Sequence, residues 1–427
     1  MIAVKNKRKP EKTDILGFSI EGIKKEDLFK CILILTVISI LTKFFIILIT
    51  TQVFNSFLDY YDVTYYLKFA ANIYQGQIPY VDFSADYPQV ALYSYLIPFQ
   101  LALLTQSVEG FVIGHQIFMT ILDVFTTILV YLVTLRFYGK EKAFLAGLMY
   151  STAFAGSYFV LTKFDSLPVF LLMLSVFLFV HRKNIFSYFT ATIGFFSKLF
   201  PGIAIPFFFI YDLKNDNNPL NVVKKILPAV IFGFLITIPF LIMNFKGYLN
   251  IITAHSTKDA LAHSFPMFLD NILHNTLNIT FFSDISTYLF FIVALILLIA
   301  YFFLKEKNYI NLLFFIFATI FFFLLFNKIF STQNIMWITP FLAIFLANTY
   351  KEVILFYIFQ LWAYLEFPIF YNSIYINYNY PYYISSDEPF LNVSIVFFAI
   401  KFLIMIVLIY AVFKRLNKSG DLILNFR

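Results

Sequence analysis

Apolar runs of membrane-spanning length recur from residue 31 to residue 413, separated by short polar breaks. A helix needs about 20 mostly apolar residues to cross a bilayer core. The runs fall near 31–50, 90–105, 111–135, 143–161, 166–181, 185–211, 226–243, 285–304, 309–327, 335–349, 353–371 and 391–413. They predict an all-α polytopic membrane protein with about 11–13 transmembrane helices. Two longer polar stretches, 51–89 and 244–284, are too small to fold alone. The run 185–211 is interrupted at Ser197-Lys198-Leu199-Phe200-Pro201. It reads either as one broken span or as two half-helices forming a hairpin with Lys198 at its tip.

Composition agrees with this reading. The chain is 61% hydrophobic and 13% charged, with mean hydropathy +0.81, far from the soluble norm. The net charge of +7 is not a nucleic-acid signal, because the lysines and arginines cluster at membrane ends. Residues 1–30 are strongly basic, and Lys305, Lys307, Lys351, Lys414, Arg415 and Lys418 mark later basic ends. The positive-inside rule then puts both termini in the cytoplasm and the loops 51–89, 244–284 and 372–390 outside. The clusters 136–142 and 181–183 are both cytoplasmic only if Lys163-Phe164-Asp165 lies outside. The basic arm has no early apolar core or cleavage site and does not read as a cleaved signal peptide. The organisation expected is a cytoplasmic segment 1–30, a transmembrane module 31–349, and C-terminal helices with a short cytoplasmic tail over 350–427. Cys31 is the only cysteine, which excludes an internal disulfide and a thiolate metal cluster.

The polar stretch 51–89 concentrates the chemistry. Residues 62–75 read as a helix lying along the interface, with Thr64, Lys68, Asn72 and Gln75 as its polar stripe. Gly76 and Pro79 stop it. Asp62 falls on the opposite side, with Tyr66, Phe69 and Ile73. A carboxylate there either caps the helix or points into a site. Asp59 is a second candidate or a solvated loop residue. Asp82 and Asp86 precede Pro88, which opens the next span, and also suit a turn and a cap.

Elsewhere, ionisable groups inside apolar runs are expensive and mark sites by default. Lys198 is one, unless it snorkels to the interface. Lys163 and Asp165 are two more, unless they pair with each other. Asp123 reads as a site residue or as a buried contact between helices. His255, His263 and His274 match no zinc spacing, so neither a metal nor another cofactor is expected.

These residues carry a resemblance. The order Asp62-x-x-Tyr65, then Gly76-x-x-Pro79-Tyr80-x-Asp82-Phe83, then Tyr87-Pro88 before an apolar span resembles the first extracytoplasmic loop of the GT-C superfamily of glycosyltransferases. It is most similar to the polyprenyl (dolichyl) phosphate mannose-dependent mannosyltransferases. Phe118 to Asp123, Lys163-Phe164-Asp165, Phe196-Ser197-Lys198-Leu199-Phe200-Pro201 and Ser331-Thr332-Gln333 through Trp337 to Pro340 are further similar elements. Gln89, Thr332 and Asn334 depart from the family pattern.

The resemblance implies a GT-C-like fold and transfer of a sugar, most often mannose, from a polyprenyl phosphate to an extracytoplasmic glycan, glycolipid or protein acceptor. Its partners would be those substrates and membrane lipids, with no nucleic acid. Such chemistry needs a base for the acceptor hydroxyl and cations for the lipid phosphate. Asp62 is the expected base, with Asp59 in reserve. Lys198, Lys163 and Asp165 are expected at the donor phosphate. Tyr65, Tyr80, Asp82, Asp86, Tyr87, Gln333 and Trp337 are expected to line the substrate site. The competing class is a transporter or lipid flippase, which would gather ionisable groups near the bilayer midplane on broken helices.

Overall fold

A computed structural model describes residues 12–15, 17–21, 23–50, 59–216, 218–261, 263–277, 279–305, 307–370, 389–422 and 424. The expected outer loop 372–390, except its last two residues, and the beginning of loop 51–89 lie outside the described residues.

The body of the chain is helical. Before it stands a small antiparallel hairpin of β1 (Lys12–Ile15) and β2 (Phe18–Glu21). The first long helix is α1 (Lys25–Leu48). The interfacial helix α2 (Tyr61–Tyr74) ends at Gly76, whose φ of +86° suits glycine. Next come α3 (Gln89–Ser94), α4 (Leu96–Thr105), α5 (Val108–Tyr138), α6 (Lys140–Ser151), α7 (Phe154–Thr162), α8 (Ser166–Val180) and α9 (Asn184–Ser197). A 3₁₀ turn (Phe200–Ile203) leads to α10 (Ala204–Asn215) and α11 (Pro219–Met243). The second long polar stretch holds α12 (Phe245–Thr257) and α13 (Phe265–Leu277). The chain finishes with α14 (Phe282–Phe303), α15 (Tyr309–Phe326), a 3₁₀ turn (Thr332–Trp337), α16 (Thr339–Leu346), α17 (Tyr350–Tyr364) and α18 (Pro389–Lys418).

Each apolar run read from the sequence is helical, but not each is a full-length crossing. Among the described residues seven helices are long and apolar enough to span a membrane, or eight if α6 and α7, bent by 51° at their break, count as one. The other runs form shorter or broken helices. α8 has 15 residues, almost all of them buried, and at 1.5 Å per residue it is about 22 Å long. Packed against α5, α9 and α10, such a helix has no lipid-facing length to match. α11 and α14 are the reverse, apolar and mostly exposed, as lipid-facing helices are.

The interrupted run is a hairpin. Asn184 at the start of α9 donates to Asp212 near the end of α10 (Nδ2 to Oδ1, 2.7 Å), and the Tyr188 hydroxyl donates to the other oxygen of Asp212 at 3.0 Å. Both ends therefore return to one face, with Lys198 at the far tip. Gly194 permits the closure, since a Cβ there would stand 2.8 Å from the Pro201 side chain.

Contacts between elements show which ends of the helices lie together. His115, near the start of α5, lies 3.3 Å from the Lys163 carbonyl, so α6 and α7 run back along α5. Lys163-Phe164-Asp165 is thus at the opposite end from the clusters 136–142 and 181–183. Asn244 donates to the Tyr80 carbonyl at 2.8 Å, which brings the start of loop 244–284 to the Lys163 end. Asp123 takes the role of a buried helix contact. It pairs with Lys43 of α1 and accepts from the Tyr150 hydroxyl at 2.8 Å.

Two exposed positions test this sidedness. In a Cys31→Ala background, Gln75→Cys and Lys183→Cys should label with impermeant maleimide from opposite sides of sealed vesicles. Labelling of both from one side would contradict the fold.

Candidate active site

The site assembles where α2, the α7–α8 loop and the hairpin tip meet. Tyr60, not Asp62, is the N-cap residue of α2. Asp59 instead accepts from the Tyr61 N–H (Oδ1, 3.0 Å), a local turn that starts the helix. Val63, Tyr66, Phe69 and Ala70 form the buried face of α2, while Thr64, Lys68 and Gln75 are exposed. Asp62 is freed from capping and turns inward. Asp59 and Asp62 both accept from the Lys163 ammonium, at 2.9 and 2.8 Å.

Lys163 ends α7 and its side chain is only 8% exposed. Burial pulls its pKa down, but the charges of Asp62 and Asp59 outweigh it and hold the pKa above the usual lysine value. An ammonium has three donors; two serve these carboxylates. The Phe367 ring lies 5.6 Å away on another side.

Asp165 does not pair with Lys163, contrary to one of the two readings of that motif. Its Oδ1 accepts from Lys198 Nζ and from the Trp337 indole Nε1, both at 2.6 Å. The carboxylate is 1% exposed and Lys198 21%. Lys198 therefore does not snorkel; its Nζ lies 5.0 Å from the centre of the Trp337 ring. Phe200, two residues on, stacks on the same ring at 4.1 Å with an interplanar angle of 7°. The second oxygen of Asp165 is buried and, among the described residues, has no hydrogen-bond partner.

The remaining expected residues divide by distance from these ion pairs. Tyr87 is near them: burial and the Asp62 charge raise its phenol pKa well above normal, so it stays a neutral hydroxyl. Tyr80 is a joint, its hydroxyl donating to the Tyr87 carbonyl at 2.6 Å and its own carbonyl accepting from Asn244. Asp82 closes a turn by accepting from the Ile78 N–H at 2.7 Å. Asp86 pairs with Lys258 of the second outer stretch at 3.1 Å. Tyr65 is exposed and packs edge-on against Phe69. Gln333 is half-buried on the 3₁₀ turn that ends in Trp337. The structure thus joins Asp59, Asp62, Lys163, Asp165, Lys198 and Trp337, and leaves Tyr65, Asp82 and Asp86 at the rim.

Several residues around the site do not stand out in the motifs. Glu366 is fully buried and accepts from Lys401 at 2.8 Å and from the Thr332 hydroxyl at 2.9 Å. Lys401 also donates to the His263 carbonyl at 2.9 Å. His115 and Phe164 support the Lys163 loop from beneath, with Phe164 4.8 Å from Tyr95. Glu366 and Lys401 each sit in an apolar run, and that alone was a signal. Among the described residues, no three His, Cys, Asp or Glu side chains are grouped to hold a metal ion.

No protein-family model and no curated protein sequence matches the chain. Among solved structures it is similar to an oligosaccharyltransferase from Archaeoglobus fulgidus, crystallised in the apo form, with 13% identity and a TM-score of 0.44. The match covers 91% of this chain and 56% of that one, so this chain spans just over half the length of that protein.

Stability should separate the two acids. Asp165→Ala leaves a buried indole and a largely buried ammonium without their acceptor, and should cost about 3–5 kcal/mol, as breaking a buried pair does. Asp62→Asn leaves Lys163 paired with Asp59 and should cost less than about 1 kcal/mol. Thermal unfolding of the purified variants, followed by tryptophan fluorescence, measures the difference. Equal losses would deny Asp165 its place as the structural anchor.

Proposed function

We propose that the chain is a membrane glycosyltransferase that moves a sugar, the mannose its motifs suggest, from a polyprenyl phosphate to an acceptor hydroxyl. The observation that carries this reading is the pairing of two carboxylates with Lys163 beside a partly exposed Lys198, all at one end of a helical membrane bundle. A transfer from a phosphodiester needs little more than a base, cations for the phosphate, and exclusion of water.

Asp62 is the base. The acceptor oxygen attacks the anomeric carbon as its proton passes to Asp62, the bond from that carbon to the phosphate oxygen breaks, and polyprenyl phosphate leaves with one further negative charge. Direct displacement inverts the anomeric centre. Lys198 is the phosphate cation, since one donor serves Asp165 and two remain for a ligand. Lys163 positions Asp59 and Asp62. The acceptor is a glycan, glycolipid or protein. Both termini are cytoplasmic and the site faces outward, a reading supported by the crowding of basic residues at the opposite end.

Transfer of radiolabelled mannose from polyprenyl phosphate mannose by the purified protein is the direct test. Asp62→Asn should lower turnover about 10²–10⁴-fold, the usual contribution of acid–base catalysis, with Asp59→Asn milder. Parental turnover in a folded Asp62→Asn variant would remove Asp62 as the base. Lys198→Ala should weaken donor binding by about 1.5–3 kcal/mol, the range for hydrogen bonds to charged groups. Unchanged donor affinity would reject its role. Lipid movement across vesicles without sugar transfer would replace the enzyme reading with a flippase.

A further inference from the structure

At the end of the bundle opposite the candidate active site, the base of the α9–α10 hairpin opens into a cavity of about 610 Å³. That volume lies within the range of small-ligand sites. Arg182, Lys183 and Lys225 contribute three cations to its lining, against two anions, Asp212 and Asp216. The anions are already engaged. Lys225 bridges them at 3.2 and 3.1 Å, and Asp212 also accepts from Asn184 and Tyr188. Among the described residues, no acidic side chain forms an ion pair with Arg182 or Lys183. Both are exposed.

Arg182 carries a second signal. It sits at φ +60°, one residue beyond His181, which caps the end of α8. The Lys183 N–H bonds to the Leu178 carbonyl at 2.8 Å and the Arg182 N–H to the Phe179 carbonyl at 2.9 Å. This is the helix stop in which glycine is the usual residue. An arginine there strains the backbone, while its guanidinium offers the planar fork that suits phosphate oxygens.

The cavity also has an exposed apolar wall. Ile185 and Phe186 line it and are 47% and 64% exposed. A cationic mouth beside exposed apolar side chains on a membrane protein fits a phosphate headgroup with acyl chains lying outside it.

We propose that this cavity binds the phosphate headgroup of an anionic membrane lipid, through Arg182 and Lys183, on the face opposite the candidate active site. The site is independent of the transferase reading.

The full-length protein in neutral detergent is titrated with dioctanoyl phosphatidylglycerol, dioctanoyl phosphatidylcholine or inorganic phosphate, and its thermal unfolding is followed. Phosphatidylglycerol should raise the midpoint, and phosphatidylcholine should not. Arg182→Gly removes the cation and the strain together. It should therefore unfold no earlier than the parent without lipid, yet need about tenfold or more phosphatidylglycerol for the half-maximal shift, as loss of 1.4 kcal/mol or more would require. Lys183→Gln should weaken the response in the same direction. Equal shifts with both lipids, or an undiminished response in both variants, would overturn the site. A shift from inorganic phosphate equal to that from phosphatidylglycerol would overturn the lipid as its ligand and assign the cavity to a soluble phosphate compound.

Discussion

Asp165 has lost its water, and donors from two distant parts of the chain stand in for it. The tip of the α9–α10 hairpin brings Lys198, and the 3₁₀ turn before α16 brings Trp337. A buried ion is tolerated only when its partners are well placed, so the carboxylate fixes both segments. It fixes a third as well. Lys163 lies two residues away on the same short loop and meets Asp59 and Asp62 of the α2 entry. The geometry of the candidate site therefore depends on a residue with almost no exposure of its own.

The C-terminal helices join the same construction. Glu366, just beyond α17, accepts from Lys401 of α18 and from Thr332, next to Gln333. Phe367 places its ring beside the Lys163 ammonium. The turn carrying Trp337 is thus held from the Asp165 side by an indole hydrogen bond and from the C-terminal side by Thr332. Each of these contacts satisfies a polar group that would otherwise be stranded in an apolar interior.

How much of this was legible depends on the range of the interaction. The helices could be read because apolar runs are local, and α2 could be read because its polar stripe follows a helical period. The inward side of Asp62 followed from that period. The hairpin was one of two readings of Ser197 to Pro201; contacts 28 residues apart, from Asn184 to Asp212, select it. The partners of Lys163 could not be read. Asp165 is its near neighbour in sequence, yet Asp59 and Asp62, about a hundred residues earlier, are its partners in space. Asp82 and Asp86 suited a turn and a cap as well as a substrate site, and the fold shows Asp82 closing a turn and Asp86 reaching Lys258. Which apolar runs form one long helix and which form short or broken ones was not legible for a related reason. Local hydropathy does not distinguish a helix facing lipid from a short one buried among its neighbours, as α8 is.

The charges at the site bear on how the proposed reaction would begin. Asp59, Asp62 and Asp165 stand against Lys163 and Lys198, leaving one anion in excess when all are ionised. A phosphodiester adds another. Attraction between close charges in such a setting is several-fold stronger than in water, so the incoming phosphate competes with carboxylates for the ammonium groups. Lys198 can accept it without losing Asp165, because its donors are not all used. Lys163 has less to spare: two of its donors serve the acids, and a phosphate drawn toward it would loosen one of them. The carboxylate released is then free to accept a proton from an acceptor hydroxyl. In the proposed reaction the donor would thus prepare its own base, and Asp62 would not need to be unpaired before substrate arrives.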